Sequence, residues 1–235
     1  MILYAASHLI QFGSSSYDFG SRIVIDSFGN AYVTAQTDIG IDGHTNARSN
    51  DIFIIKFTNA GIKQWTRQLG PSSNEYGYGI ATDPSGNVYV TGYTEGNLDG
   101  NNNAGGNDVF VAKYDVTGAK QWTKLLGTSF GDIDYDIAAD SNSNVYVTGP
   151  TLGGLGGTTN AGSVDIFVVK YSSSGVKQWT QQLGTSSTDY GLGITSDSSG
   201  NLYVTGNTTG ALDGNTSAGY DDIFVVKYDE NGNMQ

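Results

Sequence analysis

The chain has 235 residues, no cysteine and a formal net charge of −12, with only 11 lysines and arginines. Without cysteine there are no disulfides and no thiolate metal sites, and so few basic residues argue against nucleic acid and anionic membrane surfaces as partners. Fifteen tyrosines and nine phenylalanines supply core mass, which argues against disorder, and no apolar run approaches the ~20 residues of a membrane-spanning helix.

The first ten residues are mildly apolar but carry no basic leader and no convincing cleavage site, so they read as a strand. What kind of strand follows from a repeat. The heptad GNVYVTG at residues 86–92 recurs as GNAYVTA at 29–35, SNVYVTG at 143–149 and GNLYVTG at 200–206. Its tyrosines, Tyr32, Tyr89, Tyr146 and Tyr203, are each 57 residues apart. A fixed period makes the repeat the structural unit, whatever length alone suggests about domain count.

The second repeat shows the pattern. Residues 76–83 are β-compatible, and Asp-Pro-Ser-Gly-Asn at 83–87 is a tight turn closed by a left-handed glycine. Residues 88–94 alternate as a second strand. A polar loop over 95–107 leads to a third strand at 109–114, a second glycine-closed turn at 115–119, and a fourth strand at 120–126. Ser143 replaces the turn glycine in the third repeat, where a local change of turn is expected, because a left-handed serine costs about 1 kcal/mol.

Four short antiparallel strands per repeat, in tandem, predict an all-β propeller of four blades, with repeats at about 13–69, 70–126, 127–183 and 184–235 plus 1–12. His8 falls in register with Trp65, and Phe12 with Leu69. Residues 5–12 therefore read as an orphan fourth strand that completes the last blade and closes the ring, removing open edges. A larger propeller, or a double-sized ring of two chains, are the alternatives to a closed monomer.

The motifs Asp-x-x-Gly-Asn-Val-Tyr-Val-Thr-Gly, Ala-Gly-x-x-Asp-Ile-Phe-Val-x-Lys-Tyr and Gly-x-x-Gln-Trp-Thr resemble the bacterial beta-propeller repeat family, SBBP. The second motif stands at 104–114, 161–171 and 218–228, and the first repeat departs from it with Arg48 and Phe57. The resemblance implies a secreted or cell-surface bacterial protein and brings no defined catalytic residues.

Several repeated residues are candidates for binding. The loop between strands two and three carries Asp42 and Asn46, then Asp99, Asn101 and Asn103, then Asp213 and Asn215. Oxygen-bearing residues at alternate positions make the first half of a Ca²⁺ loop, but the glycine and closing glutamate of such a loop are missing, and Asx-turns explain the same residues. Trp65, Trp122 and Trp179 either pack between blades or offer one sugar-stacking face per blade. Where other repeats hold a pair of glycines, the first has Gly20 and Arg22 and the third has Asp134 and Asp136. Either Arg22 and Asp136 meet across the axis and pair their charges, or each fills its own blade-to-blade contact. The two histidines, His8 and His44, sit in no catalytic motif. The sequence thus points to a non-catalytic extracellular module that binds protein or glycan, with no cofactor other than a calcium ion. A lyase or hydrolase site at the channel mouth is the remaining alternative.

Overall fold

Each repeat turns on one aspartate. The Asp83 carboxylate accepts the backbone N–H groups of Ser85 (3.0 Å) and Asn87 (2.9 Å), the Asn87 side-chain amide (2.8 Å) and the Tyr89 hydroxyl (3.0 Å). Asp26, Asp140 and Asp197 do the same in the other repeats. Burial pushes the Asp26 carboxyl up, but these hydrogen bonds outweigh it and hold the group below its ordinary value. The DxxGNxY motif is therefore a turn satisfied from within. Ser143 adopts φ 63° and donates to Asp140 O at 3.0 Å, as the turn glycines do, so the expected local change of turn does not occur.

The computed structural model describes residues 9–45, 50–70 and 73–235. Blade one is β1 (Asp18–Ile25), β2 (Ala31–Thr37), β3 (Asp51–Phe57) and β4 (Lys63–Leu69). Blade two is β5 (Glu75–Thr82), β6 (Val88–Thr94), β7 (Asp108–Tyr114) and β8 (Lys120–Leu126). Blade three is β9 (Asp136–Ala139), β10 (Val145–Thr151), β11 (Asp165–Tyr171) and β12 (Lys177–Leu183). Blade four holds β13 (Asp189–Ser196), β14 (Leu202–Thr208) and β15 (Asp222–Tyr228). Among the described residues every sheet is an antiparallel meander, with four strands in the first three blades and three in the last.

Strand β9 is short. Pro150 stands where blade two has Tyr93, and proline has no N–H to give the ladder. Upstream of β9 the pairing survives as single bonds, Ile133 N–H to Pro150 O and Tyr135 N–H to Thr148 O. In the other blades the first strand carries a β-bulge, between Gly20 and Arg22, Gly77 and Gly79, and Gly191 and Gly193.

The buried side chains form three clusters, one between each pair of successive blades. Ile52, Ile54 and Leu69 of blade one pack with Ile80, Val88 and Val90 of blade two. Val109 and Val111 pack with Ile137 and Val145, and Val168 with Ile194 and Leu202. The core is thus interblade, and each sheet is covered by its neighbours. Ile41, Leu98, Leu155 and Leu212 pin the long loops into it.

The ends differ from the expected closure. Half of its strand, residues 5–8, lies outside the described residues. Residues 9–12 form no strand, and Phe12 lies against Phe57 of blade one, ring centroids 5.6 Å apart. In blade four, Met234 bridges Tyr228 and Gln235 N–H donates to Lys227 O, which begins a fourth strand in the register of the other blades.

Candidate functional site

The β-bulges position the site. A bulge leaves one residue unpaired and re-aims its side chain. The unpaired residues are Ser21, Tyr78 and Leu192, and Tyr135 holds the same place in blade three. These four, with Arg22 and Gln36, line one cavity of about 480 Å³ to which all four blades contribute.

Its wall is aromatic and braced. Tyr78 meets Tyr135 edge-on at 6.1 Å and Tyr93 at 5.8 Å, and Tyr93 stacks on Tyr76 at 4.8 Å. Burial raises Tyr78, Tyr93 and Tyr135 above the ordinary phenol value, so the rings are neutral hydroxyl groups. Arg22 Nε donates to Tyr78 O (3.2 Å) and Gln36 Nε2 to Gly77 O (3.3 Å), which ties blade one to blade two at the mouth.

Of the residues singled out from sequence, Arg22 lines this cavity. Arg22 and Asp136 form no ion pair within 4 Å among the described residues. Asp136 instead accepts Ile194 N–H at 2.9 Å. Burial raises the Asp136 carboxyl, opposed by that bond and by the more distant Arg22 charge. Asp134 is fully buried behind the mouth, and burial holds it well above the carboxylate range. The nearby Thr91 hydroxyl donates to Phe110 O at 2.7 Å.

The tryptophans sit elsewhere, between blades. The indole N–H groups of Trp65, Trp122 and Trp179 donate to the carbonyls of Val116, Ser173 and Glu230 in the next blade, at 3.3, 3.1 and 3.2 Å. Their rings lie over Gly118, Gly175 and Gly232, where an added methyl would fall within 3 Å of the indole.

The Asp/Asn loops are held by backbone and fourth-strand partners. Asp42, Asp99 and Asp213 all have positive φ, between 49° and 53°, and Gly156 takes that conformation in blade three. The Asp42 carboxylate binds Lys63 (2.6 Å) and Thr66, and Asp99 binds Lys120 and Thr123. Asn101 donates to Leu98 O and Thr123 O, Asn103 to Gly106 O, and Asn215 to Leu212 O. Asn46 lies outside the described residues. His44 packs edge-on against Phe53 at 6.0 Å.

Tyr78, Tyr135 and Leu192 escaped sequence reasoning, which fixed on the glycines and charges flanking them. The signal that marks them is a variable residue held between two glycines (GYG, GLG) or two aspartates (DYD) at one repeat position.

Four segments, residues 10–47, 64–99, 121–157 and 178–212, match the SBBP beta-propeller repeat. The chain belongs to this family. The matched unit runs from the fourth strand of one blade through the second strand of the next, so the SBBP repeat straddles the interblade core. Two curated relatives are similar to the chain over part of their length. The regulatory protein FlaEY of Caulobacter vibrioides is 29% identical over 189 residues, 72% of this chain and 20% of the relative. The uncharacterized WD repeat-containing protein L264 of Acanthamoeba polyphaga mimivirus is 26% identical over 188 residues, 63% of this chain and 14% of the relative. The chain therefore spans a fifth or less of these proteins. Among solved structures, a luciferin-regenerating enzyme aligns at 12% identity and TM-score 0.44, covering 88% of this chain and 61% of that one. A virginiamycin B lyase of Staphylococcus aureus aligns at 11% identity and TM-score 0.35, covering 96% and 86%.

Proposed function

We propose that the chain is a non-catalytic scaffold that binds protein partners at the cavity mouth, outside the cell or on its surface. The observation that carries this reading is the lining of the mouth by Tyr78, Tyr135, Leu192, Gln36 and Arg22. Tyrosine and arginine around an apolar contact are the residue types that dominate binding energy at protein interfaces. The carboxylates nearby are buried or held by backbone N–H groups, which suits structure better than acid–base work. Two relatives named for regulation and for WD repeats support protein interaction, and the location rests on what the family resemblance implies. Selection of a random peptide library on the immobilised chain, run beside a glycan array, tests the proposal. Enriched peptides should lose at least about tenfold in affinity for the Tyr78→Ala/Tyr135→Ala double variant. Peptides that bind the double variant equally well overturn the site, and a glycan that depends on the same tyrosines overturns the protein partner.

A further inference from the structure

The two ends of the blade series expose surfaces that every internal interface buries. Call the side of a blade towards the following blade its trailing face, and the other its leading face. Each internal contact uses the same groups. Lys56, Lys113 and Lys170 lie over Tyr32, Tyr89 and Tyr146, and their Nζ atoms donate to Val116, Ser173 and Glu230 O at 3.0, 3.0 and 2.8 Å. Tyr32 and Tyr89 hydroxyls reach Gly86 and Ser143 O across the same boundary. Apolar contact completes it: a methyl added at Gly77 or Gly191 would touch Ile52 or Ile166 of the preceding blade.

Blade four presents this trailing face uncovered. Lys227 lies over Tyr203 at 5.7 Å, and among the described residues its Nζ has no carbonyl acceptor. Ile223 is 86% exposed, whereas its repeat equivalents Ile52, Val109 and Ile166 are at most 1% exposed. Val225 is 71% exposed against at most 1% for Ile54, Val111 and Val168. Blade one presents the complementary leading face uncovered. Ile23 is 67% exposed where Ile80, Ile137 and Ile194 are buried, and Gly20 has open space where Gly77 and Gly191 meet isoleucine. The carbonyls of Asn59 and Gly29 occupy the repeat positions that receive Lys and Tyr in the internal contacts.

We propose that copies of this chain associate head to tail, the trailing face of blade four in one packing on the leading face of blade one in a second copy. The argument is continuity: a second copy offers the surface that blades two, three and four already offer their predecessors. Such a contact joins two different patches, so it propagates until a ring closes. Two chains and two such contacts form a ring of eight blades.

Light scattering after size exclusion, over a dilution series, tests this with two single variants, Ile223→Asp and Ile23→Asp. Both residues are exposed in the single chain, so both variants should fold with the circular dichroism spectrum of the parent. The parent should show about twice the 24.8 kDa of one chain, and each variant one chain. An equimolar mixture of the variants should regain association at the highest concentrations, because one keeps its trailing face and the other its leading face. A parent that stays at one chain throughout overturns the proposal, including by closing on its own blade one. So do variants that keep the parent mass, or a mixture that stays at one chain, which would mean like faces meet like.

Discussion

Ile52 and Ile223 occupy the same position of the same repeat, in third strands of near-identical sequence, DIFIIKF and DIFVVKY. One is fully buried and the other is 86% exposed. Nothing in either blade accounts for the difference: blade two covers Ile52, and among the described residues no blade covers Ile223. Blades one and four thus show what a blade is before it is packed, and the three internal interfaces show what packing adds. The repeat encodes a sheet with two sticky sides, and burial comes from the neighbour rather than from within.

The most severe test of that contrast is a charge at each of the two positions. Ile52→Asp should cost more than about 4 kcal/mol or prevent folding, because it leaves an unpaired carboxylate in the first interblade core. Ile223→Asp should change the stability of the isolated chain by no more than about 0.5 kcal/mol. Urea titration of both measures the gap, and equal losses would break the comparison.

A second test uses pH. Burial, with the charge of Asp51 adding to it and a Thr94 hydrogen bond opposing, pushes Glu75 up to about 8 from 4.5. Glu75 sits where blade one meets blade two. Below pH 4.5 it is protonated folded and unfolded alike. Between 4.5 and about 8 only the unfolded chain ionises, so stability falls as pH rises through that window. Asp108, Asp132 and Asp134, also raised by burial, act in the same direction. The hydrogen-bonded turn carboxylates Asp26 and Asp115 are lowered and act oppositely, losing their contribution as pH falls below 3.8. Glu75→Gln should flatten the decline, gaining on the order of 2 kcal/mol over the parent at pH 8.5 and little at pH 4.5. Melting temperatures across pH report it, and parallel curves would remove Glu75 as the source.

A third test pairs Gly77→Val with Gly20→Val. At Gly77 the new side chain runs into Ile52, 3.1 Å from the added carbon, and should cost about 1–3 kcal/mol. At Gly20 nothing lies within 4 Å, and the change should be neutral or mildly stabilising for a strand. Chemical denaturation separates them. Ser143→Gly relieves a left-handed serine and should stabilise by about 1 kcal/mol.

The blades were legible in the sequence because the 57-residue period aligns four turns, each an aspartate followed four residues later by asparagine and six later by tyrosine. That spacing is local chemistry, so it reads through without any tertiary context. Ser143 shows its strength: the four carboxylate bonds of the turn hold a residue that glycine would fill more cheaply. The site was less legible for a geometric reason. Alternation assigns residues to faces two by two, and a bulge adds one residue to the count, so Tyr78 falls on neither face of an ideal strand. The Arg22–Asp136 pairing did not form for a related reason. Backbone groups freed near the bulge reach them first, Tyr78 O for the guanidinium and Ile194 N–H for the carboxylate. The tryptophans could be placed only once neighbours were known, since their partners lie 51 residues further along.

The bulge has a wider consequence for how such a protein changes over generations. Its unpaired residue belongs to neither the ladder nor the interblade core, so serine, tyrosine and leucine all occupy it on one scaffold. Each repeat therefore carries one position whose side chain varies among the blades while the pairing of the second and third strands stays in register. The opening becomes a small alphabet written one letter per blade, rewritten without disturbing the page.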